Sequence, residues 1–190
     1  MSVQQSKVAV ITGASRGIGA GLVEAYRKLG YAVVANARSI AESGDPDLVT
    51  VAGDIADPAV AQRVIATAVE RFGRVDTLVN NAGVFVAKPF TDYTDEDYAL
   101  VTGVNLTAFF HATRAAVEAM PTGGGHIVNI TTSLVDNADA NVPSVLASLT
   151  KGGLQSATKS LAIEYAARGI RVNAVSPGTI KTPMHAPETH

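Results

Sequence analysis

The 190-residue chain has no cysteine and no tryptophan, and only 5% of it is aromatic. Without thiols there are no disulfides and no thiolate metal sites, although that absence does not identify a redox compartment. No apolar run approaches the ~18 residues needed to cross a bilayer, and residues 1–7 lack the apolar segment of a signal peptide. A cytoplasmic protein without a membrane partner is the expectation. Excess charge is missing too: 15 basic residues against 17 acidic ones give a formal net charge of −2. The basic residues are scattered, which disfavours nucleic acid as a partner. His111, His126, His185 and His190 show no tight ligand spacing with Asp or Glu, so no metal site is expected.

What the chain does have is a 47% hydrophobic composition arranged in a regular alternation. Short β-branched apolar runs at 7–12, 31–36, 48–51, 75–80, 126–131 and 170–175 are separated by longer stretches. Helical periodicity predicts helices over 17–29, 58–72 and 143–168, with Gly30, Gly73 and Gly169 as stop signals. A fourth stretch, 95–120, is expected to bend near Gly103–Asn105. Strands that are apolar almost throughout belong in a parallel sheet covered on both faces. The fold expected is therefore α/β: one Rossmann-type domain over 1–190, with a doubly wound parallel sheet in three α/β/α layers. The run 170–175 would lie at an edge, or need a partner from beyond His190; on that ground a further strand is expected to follow.

Between the first run and the first helix lies Thr12-Gly13-Ala14-Ser15-Arg16-Gly17-Ile18-Gly19. In that setting Gly13 allows a tight turn, Gly17 a close approach of backbone to a pyrophosphate, and Gly19 close packing of helix on strand. The helix N-terminus offers free N–H groups to phosphate. The plainer alternative is a glycine-rich turn without a ligand. The second strand ends Asn36-Ala37-Arg38-Ser39, with no acid to bind a ribose 2′-hydroxyl. Arg38 and Arg16 could instead flank a 2′-phosphate, which favours NADP(H) over NAD(H); otherwise both are solvated surface residues.

The three-residue gap between Gly13 and Gly17, followed by Asn80-Asn81-Ala82-Gly83, Asn105, Lys151 and Ser176-Pro177-Gly178 with Thr182, resembles the short-chain dehydrogenase/reductase family. The likeness covers essentially the whole chain. It implies an NAD(P)-dependent oxidoreductase acting between a carbonyl and an alcohol. Cofactor contacts are implied for Gly13, Ser15, Arg16, Gly17, Ile18, Gly19, Arg38, Asn81, Ala82, Gly83, Lys151, Pro177, Gly178, Ile180 and Thr182. Asp54 and Ile55 resemble the pair that contacts the adenine. A homodimer or homotetramer through the two long helices is also implied, as is a substrate lid after the Pro177-Gly178 segment.

One element of the family pattern is missing. Where it has a tyrosine four residues before the lysine, as general acid or base, this chain reads Ala147-Ser148-Leu149-Thr150-Lys151. Asn129-Ile130-Thr131-Thr132-Ser133 occupies the place of the serine strand end, with Thr132 at the serine position and Ser133 one residue away. The catalytic set implied is Asn105, Thr132, Ser133 and Lys151. The segment 134–143 is about two residues longer than the family's spacing, and Asp136, Asp139, Ser144 and His185 are candidates for a substitute acid. Acid–base catalysis contributes typically ~10²–10⁴-fold, so losing the phenol need not abolish hydride transfer. Set against an NADP(H)-dependent oxidoreductase is a catalytically impaired dinucleotide-binding protein, a sensor or subunit partner.

Overall fold

A computed structural model describes residues 6–182. Strands β1 (Val8–Thr12), β2 (Ala32–Ala37), β3 (Leu48–Ala52), β4 (Thr77–Asn80), β5 (Gly125–Ile130) and β6 (Ile170–Val175) form one parallel sheet in the order β3-β2-β1-β4-β5-β6. Helices α1 (Gly17–Lys28), α2 (Pro58–Phe72), α3 (Asp95–Thr102), α4 (Ala108–Ala119) and α5 (Val145–Glu164) connect them. The doubly wound fold read from the sequence is the fold observed.

The two faces are covered unequally. Val8, Val10, Leu78 and Ile127 pack with Val64 and Ala68 of α2, Ala112 and Ala116 of α4, and Leu161 of α5. On the other face Ala9, Ile11 and Val33 pack with Leu22 and Val23 of α1. At the margin of the described sheet, β6 buries Ile170 and Val172 but exposes Arg171, Asn173 and Val175.

Several boundaries differ by a few residues from the sequence reading. The β4 strand starts at Thr77, just after Asp76, whose carboxylate accepts from the N–H of Val8 at 2.8 Å and from the Arg74 guanidinium. Helix α5 starts two residues late because the Pro143 carbonyl accepts from the Lys88 N–H at 3.0 Å. The bend near Gly103–Asn105 is a π-helical turn, Gly103–Thr107, between α3 and α4. Such single turns widen a helix so that one side chain can point elsewhere. Here it is Asn105, whose Oδ1 accepts from the Val84 N–H at 3.0 Å while its Nδ2 donates to the Val84 carbonyl and to Thr150 Oγ1.

A buried polar seam ties the sheet to the helix carrying Lys151. Asn80 Nδ2 donates to Asn129 Oδ1 at 2.9 Å and to Thr113 Oγ1 of α4, and Asn129 Nδ2 donates to Thr158 Oγ1 of α5. Buried groups deprived of a partner cost about 1–3 kcal/mol. Asn129→Ala is accordingly expected to lower the stability of the chain by about 1–3 kcal/mol, read as a lower urea midpoint at unchanged slope.

Candidate active site

The strand order reverses between β1 and β4, and the carboxyl ends of strands open there into a crevice suited to a ligand. A cleft of about 820 Å³ occupies this place. Its floor is the glycine turn. Gly13 has φ +65°, and a Cβ there would lie 2.8 Å from Ala82 Cα; at Gly19 a Cβ would lie 2.1 Å from the Gly13 carbonyl oxygen. Neither position admits a side chain without displacing backbone. Thr12 Oγ1 donates to the Val79 carbonyl and accepts from the N–H groups of Asn81 and Ala82, using its full bonding capacity. Asn81 Nδ2 in turn donates to the carbonyls of Thr12 and Gly13. Helix α1 has no side-chain cap and no acid in its first turn, so its free N–H groups face the cleft as an anion site.

At one end of the cleft stand Arg16 and Arg38, both exposed and with no carboxylate partner among the described residues. Asp54 and the buried Ile55 border the same end, with Asp54 Oδ1 accepting from the Ala56 N–H. Asn36 donates to the carbonyls of Val51 and Gly53, but its buried Oδ1 has no partner in the protein. Thr182 comes back over the glycine turn, 3.2 Å from where a Cβ of Gly17 would be, and Pro177, Gly178 and Ile180 line the same wall. Glycines that let backbone approach, free N–H groups and an unsatisfied buried acceptor fit a dinucleotide. Among the described residues no three His, Asp or Glu converge as a metal site would need.

The other end is built by β5, α5 and the loop between them. Lys151 is buried, and its Nζ donates to the Ile130 carbonyl at 2.7 Å and lies against Gly83. Burial holds this ammonium down at about 8, with no charged neighbour contributing. One turn earlier Ala147 is buried and lines the cleft with Val84, Phe85, Leu134 and Val142. Thr132 and Ser133 both border it. Thr132 Oγ1 accepts from the Leu134 N–H, while the Ser133 N–H donates to the Pro177 carbonyl.

Every expected cofactor contact, namely Gly13, Ser15, Arg16, Gly17, Ile18, Gly19, Arg38, Asp54, Ile55, Asn81, Ala82, Gly83, Lys151, Pro177, Gly178, Ile180 and Thr182, borders this one cleft. Asn105 does not line it: its side chain bonds the Val84 backbone and Thr150 Oγ1 behind the wall of the cleft. Of the candidate acids, Asp139 reaches the cleft, although its Oδ1 accepts from the Asn141 backbone and side chain. Asp136 and Ser144 do not border it, and His185 lies outside the described residues. Sequence reasoning missed Asn36 and Phe85. Asn36 sits two residues before Arg38, where a polar side chain inside a buried strand was the available signal; nothing in the sequence marks Phe85.

These features fit a dinucleotide-binding site of the doubly wound α/β class. The family model described as short chain dehydrogenase matches residues 7–190, and the chain belongs to that family of NAD(P)-dependent oxidoreductases acting on CH–OH and C=O groups. It is 39% identical to an uncharacterized oxidoreductase of Methylorubrum extorquens over 96% of this chain and 76% of that one. Among solved structures, a blue fluorescent protein from a metagenomic library in complex with NADPH matches with a TM-score of 0.85 at 35% identity, over 94% of this chain and 76% of that one. The 3-ketoacyl-(acyl-carrier-protein) reductase from Brucella melitensis complexed with NADH matches with a TM-score of 0.87 at 30% identity, over 95% and 78%.

The depressed Lys151 value has a consequence for stability. In the unfolded chain the amine ionises near its ordinary 10.5, and in the folded chain at about 8, so the buried ammonium destabilises the fold fully below about 8. That penalty fades as pH rises toward 10.5. Lys151→Met is expected to melt at a higher temperature than the parent at pH 7, with the difference shrinking by pH 10 in a thermal scan.

Proposed function

We propose that the protein is an NADP(H)-dependent oxidoreductase that interconverts a small carbonyl compound and its alcohol. The observation that carries the cofactor preference is the pair Arg16 and Arg38, unpaired among the described residues, at a β2 end that has no carboxylate. Guanidinium groups suit the planar, bidentate recognition of a phosphate, whereas an acid at that position would bind a ribose hydroxyl. A bound nicotinamide supplies or accepts the hydride. The chain's own residues do the rest: the glycine turn and the α1 N-terminus hold the pyrophosphate, Asp54 and Ile55 the adenine, and Lys151 the nicotinamide ribose. Thr132 and Ser133 orient the carbonyl oxygen, and Asn105 fixes the Val84 segment behind it. The apolar lining from Val84, Phe85, Leu134 and Val142 favours a substrate with an apolar body. Phe110 of α4 with Val145, Leu149 and Ile163 of α5 are exposed, which supports a homodimer or homotetramer assembled through these helices.

The impaired-binder reading is not favoured, since oxidoreductase and reductase are what the matching relatives are named for. Two measurements test the proposal. Arg38→Asp is expected to weaken NADPH binding at least ~10-fold in a fluorescence titration while leaving NADH nearly unchanged; equal losses for both cofactors would remove Arg38 from the site. Ala147→Tyr restores a phenol on the same helix face as Lys151, and NADPH oxidation with activated carbonyls should rise by roughly 10–10³-fold. A structure of this variant with the ring turned away from the nicotinamide end would identify a cleft already rebuilt around alanine.

A further inference from the structure

The cleft keeps a lysine whose usual phenolic partner is gone. An ammonium carries three N–H donors, and the Lys151 group gives one to the Ile130 carbonyl. Two remain, and Lys151 lines the cleft. Ala147, one turn earlier on the same face, presents only a methyl group, so the volume a phenol would fill is open to a substrate oxygen beside Nζ.

Resting on the reductase reading above, we propose that Lys151 is itself the proton donor to the substrate oxygen, directly performing the step that a tyrosine at position 147 would otherwise perform. As hydride reaches the carbonyl carbon, the carbon–oxygen π pair moves onto oxygen, and that oxygen takes a proton from the ammonium. Lys151 is left neutral, and water reprotonates it. In the reverse direction the neutral amine accepts the alcohol proton as hydride leaves carbon.

The competing groups are poorly placed. Thr132 and Ser133 can polarise an oxygen, but an aliphatic hydroxyl yields no net proton near neutral pH without a further acid behind it. Tyr93 donates its hydroxyl to the Val86 carbonyl. The charged groups bordering the cleft are Arg16 on the glycine turn, Arg38 after β2, Asp54 after β3 and Asp139 in the loop before α5. None of them perturbs Lys151, which burial alone brings to about 8, near the range in which an acid–base group works at cellular pH. The carboxyl of Asp139 is exposed and engaged within its own turn.

The absence of cysteine makes a clean experiment available. Lys151→Cys carries a single thiol, and alkylation with 2-bromoethylamine converts it to thialysine, an amine of the same reach that the sulfur makes more acidic. Carbonyl reduction by the native chain, followed as kcat/KM against pH, is expected to fall once the ammonium titrates. In the thialysine form that alkaline limb should move to lower pH, while NADPH affinity measured below the limb stays within about threefold of the native value. Competitive acetylation of the cofactor-free native chain, read by mass spectrometry, should give Lys151 a titration midpoint of about 8. Asp139→Asn should leave the limb in place. Turnover with an unmoved limb in the thialysine form, a midpoint at the ordinary lysine value, or loss of turnover in Asp139→Asn overturns the assignment and leaves the reductase reading standing. Failure of every form to reduce any carbonyl despite NADPH binding overturns both.

Discussion

The structure depends on how closely two pieces of backbone pass at the switch point of the sheet. The turn after β1 and the end of β4 are drawn together by Thr12, whose one hydroxyl accepts from Asn81 and Ala82 and donates to Val79. Asn81 returns the contact to the carbonyls of Thr12 and Gly13. At that spacing Gly13 and Gly19 have no room for a Cβ. The floor of the cleft and the open N-terminus of α1 both follow from this one approach, because without it the helix would start too far from the strand to present its N–H groups to a ligand.

From this floor the cleft becomes a site with two unlike ends. The end beside β2 is solvated and positively charged, with Arg16 and Arg38 exposed and without a carboxylate partner among the described residues. The end beside β5 and α5 is apolar and holds one buried cation, Lys151, which desolvation holds down at about 8.

The supports of the reactive end lie behind it rather than in it. Asn105 sits in a π-helical turn and grips both backbone groups of Val84, while Thr150, next to Lys151 in sequence, receives its remaining donor. The seam from Asn80 through Asn129 to Thr158 anchors α5 to the sheet on the same side. Lys151 is thus held by bonds made by its neighbours in the helix, and its own ammonium keeps donors for the cleft.

The sequence by itself determined the sheet, its parallel strands and the glycine turn, because each follows from local signals: period, β-branching, and glycine where φ or proximity demands it; the other residues that line the cleft were implied by the family resemblance of their motifs. That alanine stands four residues before Lys151, where the family resemblance implies a tyrosine, was legible too. Only the tertiary structure decided the direction of each side chain. The direction of the Asn105 side chain, which the π turn aims at Val84 and Thr150, is one such outcome. Asp136 and Asp139 were equivalent in the sequence, and the fold of their loop brings only Asp139 to the cleft. The oxygen of Asn36 left without a partner, and the burial that brings Lys151 to about 8, arise from elements distant in the chain closing over them. Desolvation is a property of the assembled neighbourhood, and no local pattern of residues encodes it.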